Sequence, residues 1–140
     1  MVEAKARWVE GFQFVATPPS NHAIVLDGSA KAGGADSAIH PGELLLAALA
    51  GCTGIDVVSI LAKMNVKLKE FEVRVEAEQA EEHPRWFKKI KVIYHAVGKD
   101  IPEDKLIRAI ELSQTKYCSV SATLKKKVEI EYEHQIVQEG

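Results

Sequence analysis

Cys52 and Cys118 are the only thiols in this 140-residue chain, and neither belongs to a Cys-x-x-Cys pair. Two sulfurs half a chain apart are either packing fillers or an attacking thiolate and the thiol that closes a disulfide with it. Cys52 lies in the uncharged run Leu44 to Ile55, and Asp56, Ser59 and Lys63 follow it at steps of four, three and four. On a helix these four share one side, a polar stripe on an otherwise apolar element. The stripe reads either as a solvent-facing edge or as the wall of a site. Asp56, one turn from Cys52, opposes a thiolate there, because like charge raises a thiol pKa. Cys118 has the better local chemistry. It stands where one expected helix ends and another begins, so free amides and the helix dipole face its sulfur. A small filler in the kink is the alternative.

Other chemistries lack their residues. Zinc sites use three or four ligands at short spacings, and His22, His40, His83, His95 and His134 form no His-x-x-x-His pair. No metal and no cofactor is expected, and His40, just ahead of the longest helix, is the one histidine to watch. There is no Gly-x-Ser-x-Gly for a serine hydrolase. The loop Asp27 to Ser37, centred on Gly33-Gly34, lacks the Lys-Ser/Thr ending of a phosphate loop. A net charge of −2 without a basic, aromatic-laced patch excludes a nucleic-acid binder, and Lys125-Lys126-Lys127 reads as a solvated helix end. Charges alternate from Glu3 to Arg7, unlike a signal peptide. With two cysteines only, a reducing cytoplasm is expected, where any disulfide is transient and functional.

The elements that must position the thiols follow from periodicity. Hydrophobic residues make up 46% of the chain, enough for one globular domain over 1–140. Strands are expected over 2–9, 12–17 and 23–26. Pro41 starts a helix reaching about Met64, with Glu43 at the positive end of its dipole. That helix is apolar on most sides, so one small domain can hardly cover it, and a second subunit is expected against it rather than a membrane. Strict alternation predicts strands over 66–79, 87–97 and 128–134, the first two as a hairpin or meander. Helices are expected from Pro102 to about Tyr117 and from Ser119 to about Lys126. The order β-β-β-α-β-β-α-α-β describes one α+β domain.

The segment Pro41-Gly42-Glu43-Leu44-Leu45-Leu46-Ala47-Ala48-Leu49-Ala50-Gly51-Cys52, with Cys118-Ser119-Val120-Ser121-Ala122-Thr123-Leu124 further on, resembles the OsmC/Ohr family of osmotically induced and organic-hydroperoxide-resistance proteins. The resemblance implies an α+β fold, an antiparallel sheet packed on a long central helix, built as an intertwined homodimer. It also implies a thiol-dependent peroxidase acting on small organic hydroperoxides. Cys52 would become a sulfenic acid, Cys118 would close a Cys52–Cys118 disulfide, and a dithiol of the lipoyl or thioredoxin type would reduce it. The roles are thus the reverse of those local helix chemistry assigns. The family's peroxidases place a Glu directly after the helix-opening Pro to orient a catalytic Arg. Here that position is Gly42, Glu43 lies one residue on, and no Arg or Lys occurs between Val9 and Leu26. Glu43 and Asp56 are the accessory candidates. A non-catalytic dimer holding a small apolar or acyl ligand, or a redox-responsive thiol protein, are the alternatives.

Overall fold

The computed structural model describes the whole chain, Met1–Gly140. It divides into two compact units, Met1–Leu45 and Leu46–Gly140, with the boundary inside the long helix.

The first unit is a three-stranded antiparallel sheet. Strands β1 (Lys5–Glu10) and β2 (Gln13–Thr17) are joined by the tight turn Gly11-Phe12, and β3 (Ile24–Leu26) pairs with the far side of β2. Gly11 takes a φ of 54°, which a glycine adopts without penalty and which lets the chain reverse in two residues. The loop expected to be irregular over 27–37 is in fact ordered around one side chain. Buried Asp27 accepts from the Gly28 amide at 2.7 Å and from the Ser37 amide and hydroxyl at 3.1 and 2.6 Å. The Ser37 hydroxyl bond, foremost, holds its carboxyl below the usual range. The same loop folds so tightly that a side chain on Gly34 would lie 2.2 Å from the Gly28 carbonyl oxygen, so only glycine fits. Trp8, Val9, Phe12 and Val25 remain exposed on this unit.

The second unit packs a sheet on a helix. Helix α1 (Pro41–Lys63) buries Leu49, Thr53, Val57 and Leu61, one residue every turn. It closes at Asn65, whose φ of 60° lets the Val66 amide bond back to the Leu61 carbonyl. Strands β4 (Glu70–Gln79) and β5 (Phe87–Gly98) form the expected hairpin, in register Val73↔Tyr94 and Val75↔Val92. Strand β4 begins only at Glu70, where the alternation changes face. Before it, Val66 and Leu68 pack on the core from outside the ladder.

The antiparallel expectation holds for β4–β5 and for the first sheet, but β6 (Glu129–Gln138) runs parallel to β5, from Lys89↔Glu129 to Gly98↔Gln138. The cause is the crossover. Helices between β5 and β6 return the chain to the end where β5 began, as parallel pairing requires. This pairing also carries β6 past His134 to Gln138, because Ile136 and Val137 match Ala96 and Val97. Strand β5 is therefore central, and Ile90, Val92, Tyr94 and Ala96 meet Leu49, Val57 and Leu61 of α1 in one core.

The crossover differs from its expected form in one informative way. Helix α2 covers only Glu103–Leu112, and Ser113–Tyr117 form a π-helical turn, closed by the Cys118 amide bonding the Ser113 carbonyl five residues back. Such wide turns are frequent at functional sites. Helix α3 (Ser119–Leu124) follows at once, with Cys118 as its cap.

Candidate active site

Cys52 and Cys118 are brought together. Their sulfurs and a carboxylate oxygen of Asp56 all lie within 4.8 Å of one another. Cys52 and Asp56 sit one turn apart on α1, beside the buried stripe, and both are half-buried. Cys118 reaches them from the other side, where the π-helical turn ends.

The two thiols have different surroundings. Cys118 is only 2% exposed, and its sulfur caps α3 by accepting from the Ser121 amide at 3.4 Å. That amide favours the thiolate, as the sequence leads one to expect. Burial opposes it and wins: together with the neighbouring Cys52 thiol and the Asp56 charge, it pushes the Cys118 pKa from the ordinary 9.0 up to about 11. The expectation that Cys118 has the better local chemistry for a thiolate is therefore corrected. One amide from a six-residue helix does not offset the lost hydration of a buried anion.

Beneath the sulfurs runs a polar chain that sequence reasoning missed. The Gln114 side-chain amide donates to the Tyr94 hydroxyl at 2.6 Å. Tyr94 and the Thr53 hydroxyl are 2.6 Å apart, Thr53 and the Ser113 hydroxyl 2.7 Å, and Ser113 donates to Asp56 at 2.9 Å. Ser113 donates to the Asp56 carboxylate at one end, and Gln114 already donates at the far end. The hydroxyl protons therefore all point one way, from Tyr94 through Thr53 and Ser113 to the carboxylate. The Ser121 hydroxyl completes the set by donating to the Gln114 carbonyl oxygen at 2.8 Å. No buried side-chain polar atom of the protein is left without a partner. Burial raises the Tyr94 pKa above its usual value, so its hydroxyl stays neutral. Asp56, at the end of the polar chain, stands out from the sequence, and Thr53, a hydroxyl inside the apolar run Leu44 to Ile55, is the further signal of this network that the sequence held.

The polar stripe divides along its length: Cys52 and Asp56 are half-buried, whereas Ser59 and Lys63 are exposed. Asp56, Ser59 and Lys63 line a cavity of about 340 Å³ together with Ile60, Leu112 and Tyr117. A second, apolar groove of about 610 Å³ lies along Ala50, Gly51, Gly54, Ile55 and Val58 of α1, with Phe71 and Val73 of β4 as its floor. In the first unit, Glu43 pairs with His40. The imidazole of His40 lies 2.7 Å from Asp36 through Nε2 and 2.9 Å from Glu43 through Nδ1. The Asp36 bond raises the His40 pKa, with the Glu43 charge adding to it.

Two segments of an α+β scaffold thus bring a pair of thiols together beside a carboxylate. A model of the OsmC family, described as OsmC-like protein, matches residues 33–133. The protein YhfA of Escherichia coli K12 is 38% identical over 136 residues, 97% of this chain and 98% of its own. Among solved structures, a hypothetical protein from Aquifex aeolicus is similar at a TM-score of 0.86 and 27% identity, covering 100% of this chain and 98% of that one. The organic hydroperoxide resistance protein OhrB of Bacillus subtilis shares the fold at a TM-score of 0.63 and 19% identity, over 96% and 98% of the two chains. The chain belongs to the OsmC family. That membership agrees with the cytoplasmic location expected above, and it fits cysteine-based redox chemistry.

Proposed function

We propose that this protein is a thiol peroxidase for small organic hydroperoxides, working as a homodimer of one OsmC-like domain per chain. Cys52 Sγ attacks the peroxide and breaks its O–O bond, which releases the alcohol and leaves Cys52 as a sulfenic acid. The Cys118 thiol then condenses with that sulfenic acid, releasing water and forming the Cys52–Cys118 disulfide. A dithiol reductant of the lipoyl or thioredoxin type returns both thiols by exchange.

The observation that carries this reading is the approach of the two sulfurs to within 4.8 Å from positions 66 residues apart in sequence. A disulfide needs about 2.05 Å, a closure within reach of side-chain rotation and a small backbone shift. The division of roles follows burial. Cys52 is the half-buried sulfur that a peroxide can reach, and Cys118 is buried and protonated, as suits a thiol that waits for a sulfenic acid. For the homodimer, the support is the open apolar face of α1. Ile55 is 72% exposed there, in the groove whose small residues Ala50, Gly51 and Gly54 admit close packing.

Stopped-flow oxidation of the reduced, metal-free protein tests the reading. Cumene hydroperoxide is expected to react at least about 100-fold faster than hydrogen peroxide, with the rate abolished in Cys52→Ser and a 52–118 bond found by peptide mapping. In Cys118→Ser the first step should survive and a sulfenic acid should be trapped by dimedone. Slow, unselective oxidation would overturn the peroxidase, and a monomer by light scattering at micromolar concentration would overturn the dimer.

A further inference from the structure

The same cluster has the composition of a metal site. Two sulfurs and one carboxylate oxygen converge from α1 and from the start of α3, with none of the three ligands adjacent in sequence to another. We propose that the reduced protein binds one Zn²⁺ per chain through Cys52, Cys118 and Asp56, with water as the fourth ligand.

Geometry and charge both favour this assignment. Zinc holds thiolates at about 2.3 Å and carboxylates at about 2.0–2.2 Å. In a tetrahedron those ligand atoms stand about 3.5–3.8 Å apart, so a cluster already within 4.8 Å closes by roughly 1 Å at most. Two soft sulfurs select zinc over calcium or magnesium, which take oxygen sets. Asp56 is half-buried and takes part in none of the protein's ion pairs, so a cation at this point meets a carboxylate that no Lys, Arg or His side chain contacts directly.

The supporting groups are also in place. Ligands of a metal are commonly held by further hydrogen bonds, and here Ser113 donates to Asp56 while the Ser121 amide donates to Cys118. The Ser113 bond fixes one carboxylate oxygen and leaves the other free to coordinate. An entry path exists, because Asp56 also lines the cavity that runs along Ser59, Lys63 and Tyr117. The spacing rules that argue against zinc from the sequence count only His and Cys near one another in the chain. They miss a site assembled by the crossover, in which the third ligand is Asp.

Zinc and peroxide use the same two sulfurs, so the metal-bound protein holds its thiols out of reach of oxidation. The metal site goes beyond the peroxidase reading and stands or falls separately, since the peroxide experiment is run on metal-free protein. The test is titration of untagged, reduced, chelator-treated protein with Zn²⁺ against a chromophoric chelator, and with Co²⁺ followed by absorbance. One metal per chain is expected, with a sulfur-to-cobalt charge-transfer band in the near ultraviolet. Either Cys→Ser variant should lose roughly half of that band, and Asp56→Asn should weaken binding at least about tenfold. Should a variant fail to fold, protection of the more accessible Cys52 from iodoacetamide by Zn²⁺ in the unaltered protein gives an independent readout. No binding at micromolar metal, a band that survives Cys52→Ser intact, or a Cys52 left unprotected would overturn the proposal.

Discussion

Cys52 and Cys118 are the same residue in two settings, and the difference between them separates their chemistry. Cys52 stands in the middle of a long helix, where no terminus favours an anion, yet it is the more accessible of the two. Cys118 has a helix start and an amide on its sulfur, yet burial holds it protonated. Placement by local motif and placement by solvation point in opposite directions, and solvation prevails. The dipole and cap of a short helix contribute about 0.3–1 kcal/mol, whereas each unit of pKa displacement stands for about 1.4 kcal/mol. A helix N-terminus therefore activates a thiol only when water also reaches it.

The sharpest way to break this contrast is to measure the thiols against pH in metal-free protein. With a pKa of about 11 rather than 9.0, Cys118 should hold about 100-fold less thiolate at pH 8 than an unperturbed thiol. Iodoacetamide should thus modify Cys118 that much more slowly, with the rate climbing until about pH 11. The same displacement has a consequence for stability. Between the ordinary pKa and the raised one, the unfolded chain gives up a proton that the folded chain keeps, so stability falls as pH rises from 9.0 toward 11. A Cys118 alkylated quickly at pH 8, with a midpoint near 9, would show that burial is not what distinguishes it.

A smaller effect should follow from cutting the polar chain beneath the sulfurs. Tyr94→Phe removes one hydroxyl and with it the 2.6 Å partner of both the Gln114 amide and the Thr53 hydroxyl, leaving only the longer 3.5 Å bond between those two inside the core. The expected loss is about 1–3 kcal/mol, read as a lower midpoint in urea with little change of slope. Tyr94 makes no hydrogen bond to either sulfur, and burial is the main cause of the raised Cys118 pKa, so the pH profile of Cys118 should move less than the stability does. A variant as stable as the parent would mean that the chain of hydroxyls is dispensable to the fold.

Much of this scaffold was legible from residue patterns. Alternation located the β4–β5 hairpin and β6, and Pro41 located the start of α1. What periodicity could not show is direction and depth. Alternating Val128, Ile130 and Tyr132 read alike in a parallel or an antiparallel strand, and only the crossover decides that β6 joins β5 in parallel. The π-helical turn was hidden too, since Ser113 to Tyr117 extends the spacing of α2 and its wider hydrogen bond leaves no mark on composition. The site was half legible. The thiols and Asp56 stand out by type and spacing, but their meeting depends on a chain reversal 66 residues long, and the raised pKa of Cys118 depends on burial.

The smallest expected effect probes how the sulfurs and the carboxylate act on one another. Burial is the main cause of the raised Cys118 pKa, and after it come the Cys52 thiol and then the Asp56 charge. Cys52→Ser removes a neighbour that both occupies the hydrogen-bonding position and competes as a charge, so Cys118 should titrate lower than in the parent. Asp56→Asn removes only a charge, one already engaged by the Ser113 hydroxyl, so its effect should run in the same direction and be smaller. Thiolate absorbance near 240 nm, followed against pH with chelator present, resolves both. If Asp56→Asn moved the Cys118 titration further than Cys52→Ser did, the carboxylate rather than the second thiol would be its dominant partner, and the pairing of the two sulfurs would lose its physical basis.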